Sequence, residues 1–147
     1  NQFNLTTKRY TQAQIEEAAQ NPACITLYGK LEDKFGDNGV VTVLIGHEES
    51  KNEERQALHL DLWLMSCRVL KRDMEYAMMD VLVETCKARG IRRIYGYYYP
   101  TAKNGMVRDF YGLQGFEKLR ENEQETVWRF EIPKHYEKKN HYIEIEE

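Results

Sequence analysis

The 147-residue sequence lacks the features that mark several common classes of protein. Its three cysteines, Cys24, Cys67 and Cys86, are far apart and form no Cys-x-x-Cys pair. This spacing argues against a disulfide framework and a structural zinc site, and it favours a reducing compartment. The four histidines show no His-x-x-x-His or His-Glu-x-x-His spacing, so we expect no metal. No apolar run approaches the roughly 20 residues that a membrane-spanning helix requires.

Linkers and repeats are missing as well. With only three prolines, no internal repeat and no low-complexity tract, nothing in the sequence divides the chain. We therefore expect one domain, with a connecting segment and helix over 1–22, a core over 23–132 and a charged tail over 133–147. The sequence begins without Met and without a basic, apolar leader, so we expect a segment of a longer, cytoplasmic protein.

Charge is unevenly distributed in an otherwise ordinary globular composition. The net charge of −3 argues against nucleic acid as the main partner, because duplex binding depends on clustered Lys and Arg. Between Cys67 and Asp109, however, nine basic residues face five acidic ones. This surplus suits a phosphorylated small molecule or an acidic carrier protein, or it belongs to a solvated helix face and a charged turn. The nine are Arg68, Lys71, Arg72, Lys87, Arg89, Arg92, Arg93, Lys103 and Arg108.

Hydrophobic periodicity and turn residues predict a mixed domain in which helices and strands alternate. Thr11 is the predicted N-cap of a short helix that ends at Asn21-Pro22. The apolar repeat from Met74 to Thr85 predicts an amphipathic helix stopped by Gly90. The other predicted elements are strands over Ala23–Leu31, Val40–Ile45, Ile91–Tyr99 and Glu125–Ile132, a turn at Gly36–Gly39, exposed loops at His47–Arg55 and Pro100–Gly105, a short helix over Met106–Tyr111 and a break at Gly115-Phe116.

The segment Leu58–Ser66 alternates between leucines and other residues, which predicts a strand with two distinct faces. Its four leucines are expected to form the core face. The opposite face, which is expected to be a cleft wall or a face covered by a neighbouring element, carries His59, Asp61, Trp63 and Met65.

The order of these elements and their motifs resembles the GNAT acyltransferase superfamily between Val40 and Ile132. Asn104, followed by Phe110-Tyr111 and Gly115-Phe116, is similar to the late motif of that superfamily. The resemblance implies an α/β (α+β) fold with a central, mostly antiparallel twisted sheet flanked by helices. It also implies that Asn104 contacts the cofactor arm and that Tyr111 protonates the departing thiolate of coenzyme A.

The turn Arg68–Asp73 lies where the superfamily has Gln/Arg-x-x-Gly-x-Gly/Ala, and there Lys71 and Asp73 replace the glycines. Unpaired N–H groups at a helix start bind pyrophosphate where no side chain intervenes. The Asp73 carboxylate competes for those groups and repels phosphate, whereas Lys71 and Arg72 can pair with it. Coenzyme A or phosphopantetheine is expected between the strands Leu58–Ser66 and Ile91–Tyr99. The predicted cofactor-binding residues are Met65, Cys67, Arg68, Arg72, Asp73, Asn104 and Arg108.

A second resemblance, to FkbH-type proteins, spans nearly the whole chain. It is carried by Asn1–Thr11, Asp33–Gly39, Ser66–Leu70, Pro100–Asn104 and Arg108–Tyr111, in that order. The family is associated with loading a glyceryl unit onto an acyl carrier protein, towards methoxymalonyl units for polyketide biosynthesis. The resemblance implies that an upstream HAD-like domain with an Asp-x-Asp pair performs this loading. No Asp-x-Asp occurs here, so we expect the carrier protein and that upstream domain as partners.

Two main hypotheses about function follow. In the first, the domain is an acyltransferase that acts on a thioester of coenzyme A or of a carrier protein. Tyr111 is then the acid, Asp61 or His59 the base, and Arg68, Arg72 and Asn104 hold the donor. Each residue has a plainer alternative: Tyr111 buries its ring beside Phe110, His59 and Asp61 form a solvated pair, and Arg108-Asp109 is a surface ion pair.

In the second hypothesis, the domain is a non-catalytic module that holds the carrier protein or its phosphopantetheine arm near the upstream domain. The replaced glycines favour this module, whereas the retained Asn104 and Tyr111 favour the enzyme. RNA binding through Tyr95 and Tyr97–Tyr99 is a third hypothesis, which requires exposed aromatic rings on a basic surface.

Overall fold

The computed structural model describes residues 2–6, 10–33, 36–49, 57–66, 74–102 and 104–136. These ranges contain seven strands, three α-helices and one 3-10 turn. In chain order they are β1 (Gln2–Asn4), α1 (Gln12–Gln20), β2 (Cys24–Asp33), β3 (Gly36–Glu49), β4 (Ala57–Ser66), α2 (Met74–Ala88), β5 (Arg93–Tyr98), the 3-10 turn (Gly105–Val107), α3 (Phe110–Leu113), β6 (Glu117–Glu121) and β7 (Thr126–Glu131).

The seven strands form one sheet, in which six follow the order β2-β3-β4-β5-β7-β6 and β1 pairs with β4 outside that path. Neighbouring strands are antiparallel except β4 and β5, which are parallel. A parallel pair needs a long crossover, and α2 supplies it. The prediction of a mixed domain with a mostly antiparallel sheet is confirmed.

The two helices with clear local signals form where the sequence predicts them. Thr11 caps α1 by accepting a hydrogen bond from the Gln14 N–H, and the Gln14 side chain accepts one from the Thr11 N–H. Gly90, just after α2, has a positive φ of 77°, a conformation that side chains other than glycine rarely adopt.

Two predictions about the β2–β3 hairpin are wrong. Gly36–Gly39 is not a turn but the first part of β3, because Asp33 already pairs with Gly36. Its Asn and second Gly fall at a register shift, where β3 carries an extra residue, so the turn signal marks a bulge. The predicted loop at His47–Arg55 is also wrong at its start, since β3 continues to Glu49. Residues 34–35 and 50–56 lie outside the described part of the chain.

A bulge in β4 overturns the predicted alternation of its faces. Ile45 pairs with Leu62 and Gly46 with Leu60, so Asp61 is an extra residue in β4. Beyond the bulge the faces exchange. Leu58 and Leu60 belong to the main core cluster, and so do Trp63 and Met65, whereas buried Leu62 and half-buried Leu64 lie outside that cluster.

Sequence reasoning also misread the segment after β5. The helix predicted over Met106–Tyr111 is a 3-10 turn followed by the one-turn helix α3. The strand β6 was not predicted, because all five of its residues are exposed and show no apolar alternation. The break at Gly115, which has a φ of 96°, is confirmed.

The core joins α2, the α3 region and one face of the central strands. Trp63 of β4 is fully buried, and its ring meets those of Phe110 and Tyr111 edge-on. From α2 the core receives Met78, Met79, Leu82, Val83 and Cys86, and from β5 and β7 it receives Ile94, Tyr98, Trp128 and Phe130.

Gly96 of β5 gives the Tyr111 ring its space. A Cβ at Gly96 would lie 2.7 Å from that ring. We expect Gly96→Ala to lower the free energy of unfolding by about 1–3 kcal/mol, as overpacked cores do. Urea unfolding would measure this, with Gly105→Ala as the control, because apart from its chain neighbours no atom of the described residues lies within 4 Å of a Cβ at Gly105. Equal effects of the two substitutions would contradict the packing argument.

Candidate functional site

The strands β4 and β5 pair over a short stretch and then leave a gap. Their paired residues are Ala57 with Arg93, Leu58 with Ile94 and His59 with Tyr95. Both strands continue, β4 to Ser66 and β5 to Tyr98. The bulge at Asp61 lies just past the last pair, so it marks the point of separation.

The N-terminal segment of the chain fills this gap. The strand β1 pairs antiparallel with the end of β4, Gln2 opposite Ser66 and Asn4 opposite Leu64. Leu5 bridges the two diverging strands: its N–H donates to the Trp63 carbonyl (3.2 Å), and its carbonyl accepts from the Tyr99 N–H (2.8 Å). Leu5 is fully buried.

Thr6 ties the segment to the bulge. Its hydroxyl donates to the main-chain carbonyl of Asp61 at 2.7 Å, and Thr6 is itself buried. A bulge leaves a backbone group unmatched in the ladder, and this bond gives the Asp61 carbonyl a partner.

Asn104, predicted to contact a cofactor arm, makes its hydrogen bonds within the chain. Its amide nitrogen donates to the carbonyls of Asn4 (3.2 Å) and Tyr99 (2.8 Å). Its amide oxygen accepts from the Thr101 N–H (2.7 Å) and the Tyr98 hydroxyl (3.0 Å). All four bonds of a side-chain amide are thus made, and the residue is buried.

A polar cleft of about 400 Å³ opens beside the point where the strands separate. Its walls come from β3, β4, β5 and the segment after β1. The lining residues are Thr6, His47, Glu49, His59, Leu60, Asp61, Tyr97 and Tyr99. This volume suits a small ligand or the reacting end of a larger one.

A carboxylate orients His47 at this cleft. Its Nδ1 lies 2.6 Å from Asp61 Oδ2. An ionised carboxylate only accepts hydrogen bonds, so Nδ1 carries the proton and Nε2 of a neutral ring keeps a lone pair. The His47 side chain is 42% exposed, which leaves the imidazole within reach of a bound molecule.

His59 stands between a carboxylate and a tyrosine hydroxyl. Its Nε2 is 3.1 Å from Glu49 Oε2, and its Nδ1 is 2.6 Å from the Tyr97 hydroxyl. In a neutral ring, Nε2 donates to Glu49 and Nδ1 accepts from Tyr97. Burial, with Tyr99 and Glu125 nearby, raises the pKa of Tyr97 to about 12, so its hydroxyl stays protonated.

The two histidines and the tyrosines form one stacked group. His47 and His59 are cross-strand partners whose ring centroids are 5.3 Å apart. The ring of Tyr95 lies on the other side of His59, at 5.0 Å. Stacking and hydrogen bonds together fix the orientation of the His59 ring.

The predicted acid, Tyr111, lies in the core and does not line the cleft. It is 1% exposed, and its hydroxyl has no hydrogen-bond partner among the described residues. Burial raises the pKa of Tyr111 far above its usual range. Its packing between Phe110 and Phe116 agrees with the alternative of a buried ring.

The remaining predicted residues are not brought together among the described ranges. Met65 is buried in the core, and exposed Arg108 pairs with Glu121 at 3.5 Å. The predicted phosphate turn, with Cys67, Arg68, Lys71, Arg72 and Asp73, lies outside the described residues.

His59 and Asp61 do line the cleft together, but sequence reasoning missed three of their neighbours. His47 and Glu49 were assigned to an exposed loop, and Tyr97 was weighed only for RNA binding. The alternation of Tyr95, Tyr97 and Tyr99 was the available signal, since it places all three on the strand face that His59 shares.

Neither a metal-binding group nor a membrane-spanning helix is present among the described residues. In the part of the chain that the structure describes, no group of three or more His, Cys, Asp or Glu side chains is arranged to hold a metal ion. None of the described helices is long and apolar enough to cross a membrane.

Comparison with known proteins shows the fold. No family model matches the chain, and no curated protein matches its sequence. An acetyltransferase of the GNAT family from Streptococcus pneumoniae is similar with a TM-score of 0.59 and 14% identity, over 80% of this chain and 72% of that one. The GNAT domain of S. lividans PAT is similar with a TM-score of 0.62 and 14% identity, over 84% and 70%.

A further similar structure is the PaiA N-acetyltransferase from Thermoplasma acidophilum, solved in complex with coenzyme A. Its TM-score is 0.60 and its identity 12%, over 79% of this chain and 65% of that one. At such low identities the likeness concerns the fold alone. The chain has the fold of GNAT acetyltransferases, as predicted, and the FkbH-type resemblance stays a prediction.

Proposed function

We propose that the domain transfers an acyl group from a thioester onto a nucleophile held in the cleft. The observation that carries the proposal is the pair of carboxylate-held imidazoles, His47 with Asp61 and His59 with Glu49, at the point where β4 and β5 separate. Acid–base groups of this kind contribute about 10²–10⁴-fold to a reaction rate. The GNAT acetyltransferase fold supports acyl transfer as the reaction class.

His47 is the base of this proposal. Asp61 keeps the proton on Nδ1, so Nε2 can accept the proton that the acceptor's nitrogen or oxygen loses as it attacks. This places Asp61 behind the base as a positioning residue rather than in contact with the acceptor.

Tyr97 is the acid. Its pKa of about 12 keeps the hydroxyl protonated, and His59 holds it at 2.6 Å. When Tyr97 gives its proton to the leaving thiolate, water in the open cleft restores the proton to the tyrosinate, while His47 releases to water the proton it took from the acceptor. The role assigned to Tyr111 by resemblance passes to Tyr97.

The donor does not fit the arrangement described. A thioester supplies an activated carbonyl carbon, and its phosphopantetheine arm was expected between β4 and β5. There β1 and Leu5 already bond to the backbone of both strands, and Asn104 bonds to Asn4. The proposed acid and base roles therefore concern the residues of the cleft, and they assign no position to the donor arm.

The biological setting is also part of the proposal. The five sequence blocks shared with FkbH-type proteins support a place in polyketide extender-unit biosynthesis, in the methoxymalonyl branch. In that setting the donor is coenzyme A or an acyl carrier protein, and the domain acts beside an upstream HAD-like domain.

A non-catalytic module that holds the carrier protein itself is the second candidate, and the filled gap favours it over an enzyme that needs the donor arm in that gap. A domain that holds a carrier protein or its arm needs no proton transfer. The internal hydrogen bonds of Asn104 explain why this motif position carries an asparagine even if no ligand binds there.

An assay of thioester consumption tests the transfer. We expect the protein to release coenzyme A from acetyl-coenzyme A, or a free thiol from an acylated carrier protein, when a mixture of small amines and alcohols is present. Asp61→Asn should slow this release about tenfold, because the amide no longer enforces the His47 tautomer. Chromatography of the released thiol avoids interference from the protein's cysteines.

The control is Glu131→Gln, which changes an exposed carboxylate that pairs with Arg93 and Arg129 away from the cleft. Its rate should equal that of the wild type. Binding of the carrier without any thioester consumption would support the module and contradict the enzyme.

A further inference from the structure

We infer that the segment Gln2–Leu5 is a built-in competitor for the donor arm, so that it must leave the β4–β5 gap before the arm can bind. The inference rests on the proposed function, because it takes the arm of a thioester donor as the ligand. It adds a requirement that the fold alone does not contain: β1 must give up its pairing with β4 before the arm can take its place.

The segment occupies the backbone hydrogen-bonding groups that an extended, amide-bearing arm would need. The gap offers backbone groups of two strands, and Leu5 bonds to Trp63 on one side and Tyr99 on the other. Pantetheine is an extended chain with two amides, so it makes the same kind of bonds as a peptide strand. Two extended chains cannot occupy these groups at once.

Asn104 was predicted to contact the arm because of its position in the late motif. In the structure its amide nitrogen bonds to the Asn4 carbonyl of the segment. The Asn4 carbonyl thus takes the contact with Asn104 that the resemblance assigned to the arm. Departure of the segment would free this donor for the arm.

Tyr111 packs against both strands that border the gap. Its ring lies against Gly96 of β5 and beside Trp63 of β4, the two strands that border the gap. Its buried hydroxyl has no hydrogen-bond partner among the described residues. A buried hydroxyl without a partner destabilises the packing that contains it, and this packing includes residues of both strands that border the gap.

The expected consequence is a reduced affinity for the arm. When the closed form predominates, the measured dissociation constant is the intrinsic one divided by the open fraction. Any change that weakens the hold of the segment by a given factor should therefore tighten arm binding by the same factor.

A reversible disulfide tests the exchange directly. Asn4 and Leu64 are opposite each other, and the Leu5–Trp63 bond makes theirs a non-hydrogen-bonded pair, with a Cα separation of about 4.5 Å. We would combine Asn4→Cys and Leu64→Cys with Cys67→Ser, to prevent exchange with the nearby thiol. Calorimetry would then measure binding of coenzyme A and of phosphopantetheine.

The reduced protein should bind at least one of these two ligands, and the oxidised protein at least tenfold more weakly. Equal binding by both forms would overturn the inference, because the arm would then bind elsewhere. Absence of binding in the reduced form would overturn it as well. Asn4→Cys in the Cys67→Ser background, whose binding should not respond to oxidation, controls for effects of the substitution itself.

A second pair of variants keeps the test independent of disulfide formation. Leu5→Ala removes apolar burial that only the filled gap provides, and should tighten arm binding about tenfold to a hundredfold. Leu82→Ala removes equally buried surface from α2, away from the gap, and should leave affinity unchanged. Equal affinities for both variants would contradict the competition.

Thioester consumption separates this inference from the proposed function. Competition between segment and arm without turnover would leave the inference standing and contradict acyl transfer. Turnover that is equal in the oxidised and reduced proteins would support acyl transfer and contradict the competition.

Discussion

Replacement of Asn104 by Ala is expected to lower the free energy of unfolding by about 3 kcal/mol or more. The side chain satisfies four groups, the carbonyls of Asn4 and Tyr99, the Thr101 N–H and the Tyr98 hydroxyl. Alanine would leave the two carbonyls and the Thr101 N–H without this partner, whereas the Tyr98 hydroxyl can still donate to the main-chain carbonyl of residue 104 (3.3 Å); each buried group left unpaired costs about 1–3 kcal/mol. Water entering the space would reduce the total below the sum of three such terms.

Urea unfolding of Asn104→Ala and Asn122→Ala would measure this effect against a matched control. Asn122 is also a turn residue whose amide oxygen accepts two backbone N–H groups, those of Gln124 and Glu125, but it is exposed. Its replacement should cost about 1 kcal/mol or less, because water can take over. Unchanged stability of Asn104→Ala, together with lost binding of coenzyme A, would show that Asn104 serves the ligand and not the fold.

The sequence predicted the elements whose signals are local. The N-cap of α1 at Thr11 and the apolar repeat of α2 are each contained in a short stretch of sequence, and both helices form. The apolar, β-branched stretch from Val40 was also sufficient for a strand. Here local preference and tertiary structure agree.

Features that depend on distant pairing were not predictable in the same way. The bulge at Asp61 exists because β3 and β4 change register, and no pattern within β4 alone contains that change. The exposed strand β6 forms because β7 offers it a partner. The placement of β1 depends on a gap that is formed by residues 60 positions away.

The site was half predictable for the same reason. His59 and Asp61 were found because they interrupt a run of leucines on one strand. Tyr111 was predicted to be the acid from its position in a motif. Such a position indicates which part of the fold a residue belongs to, but not whether its side chain is buried in the core or lines a cleft. In the structure Tyr97 lines the cleft, and its hydroxyl is hydrogen-bonded to His59. The Tyr111 ring instead occupies the space left by Gly96.

Replacement of Tyr97 by Phe should therefore lower the turnover number for thioester consumption about 100-fold or more, the usual contribution of a general acid. Phenylalanine keeps the ring that stacks near His59 and removes only the hydroxyl. Because the pKa of Tyr97 is about 12, the wild-type rate should show no loss from tyrosine ionisation between pH 8 and about pH 10. An acid with an ordinary tyrosine pKa near 10 would begin to lose its proton in that range.

Tyr111→Phe is the matched variant, and the two hypotheses about the acid predict opposite outcomes for it. If Tyr97 is the acid, Tyr111→Phe should keep the turnover number within about threefold and raise the free energy of unfolding by about 1 kcal/mol, because it removes a buried hydroxyl that has no partner among the described residues. If Tyr111 is the acid, the loss of turnover should appear in Tyr111→Phe and not in Tyr97→Phe. Stability distinguishes them as well, since Tyr97→Phe breaks a hydrogen bond to His59 and should not stabilise the fold.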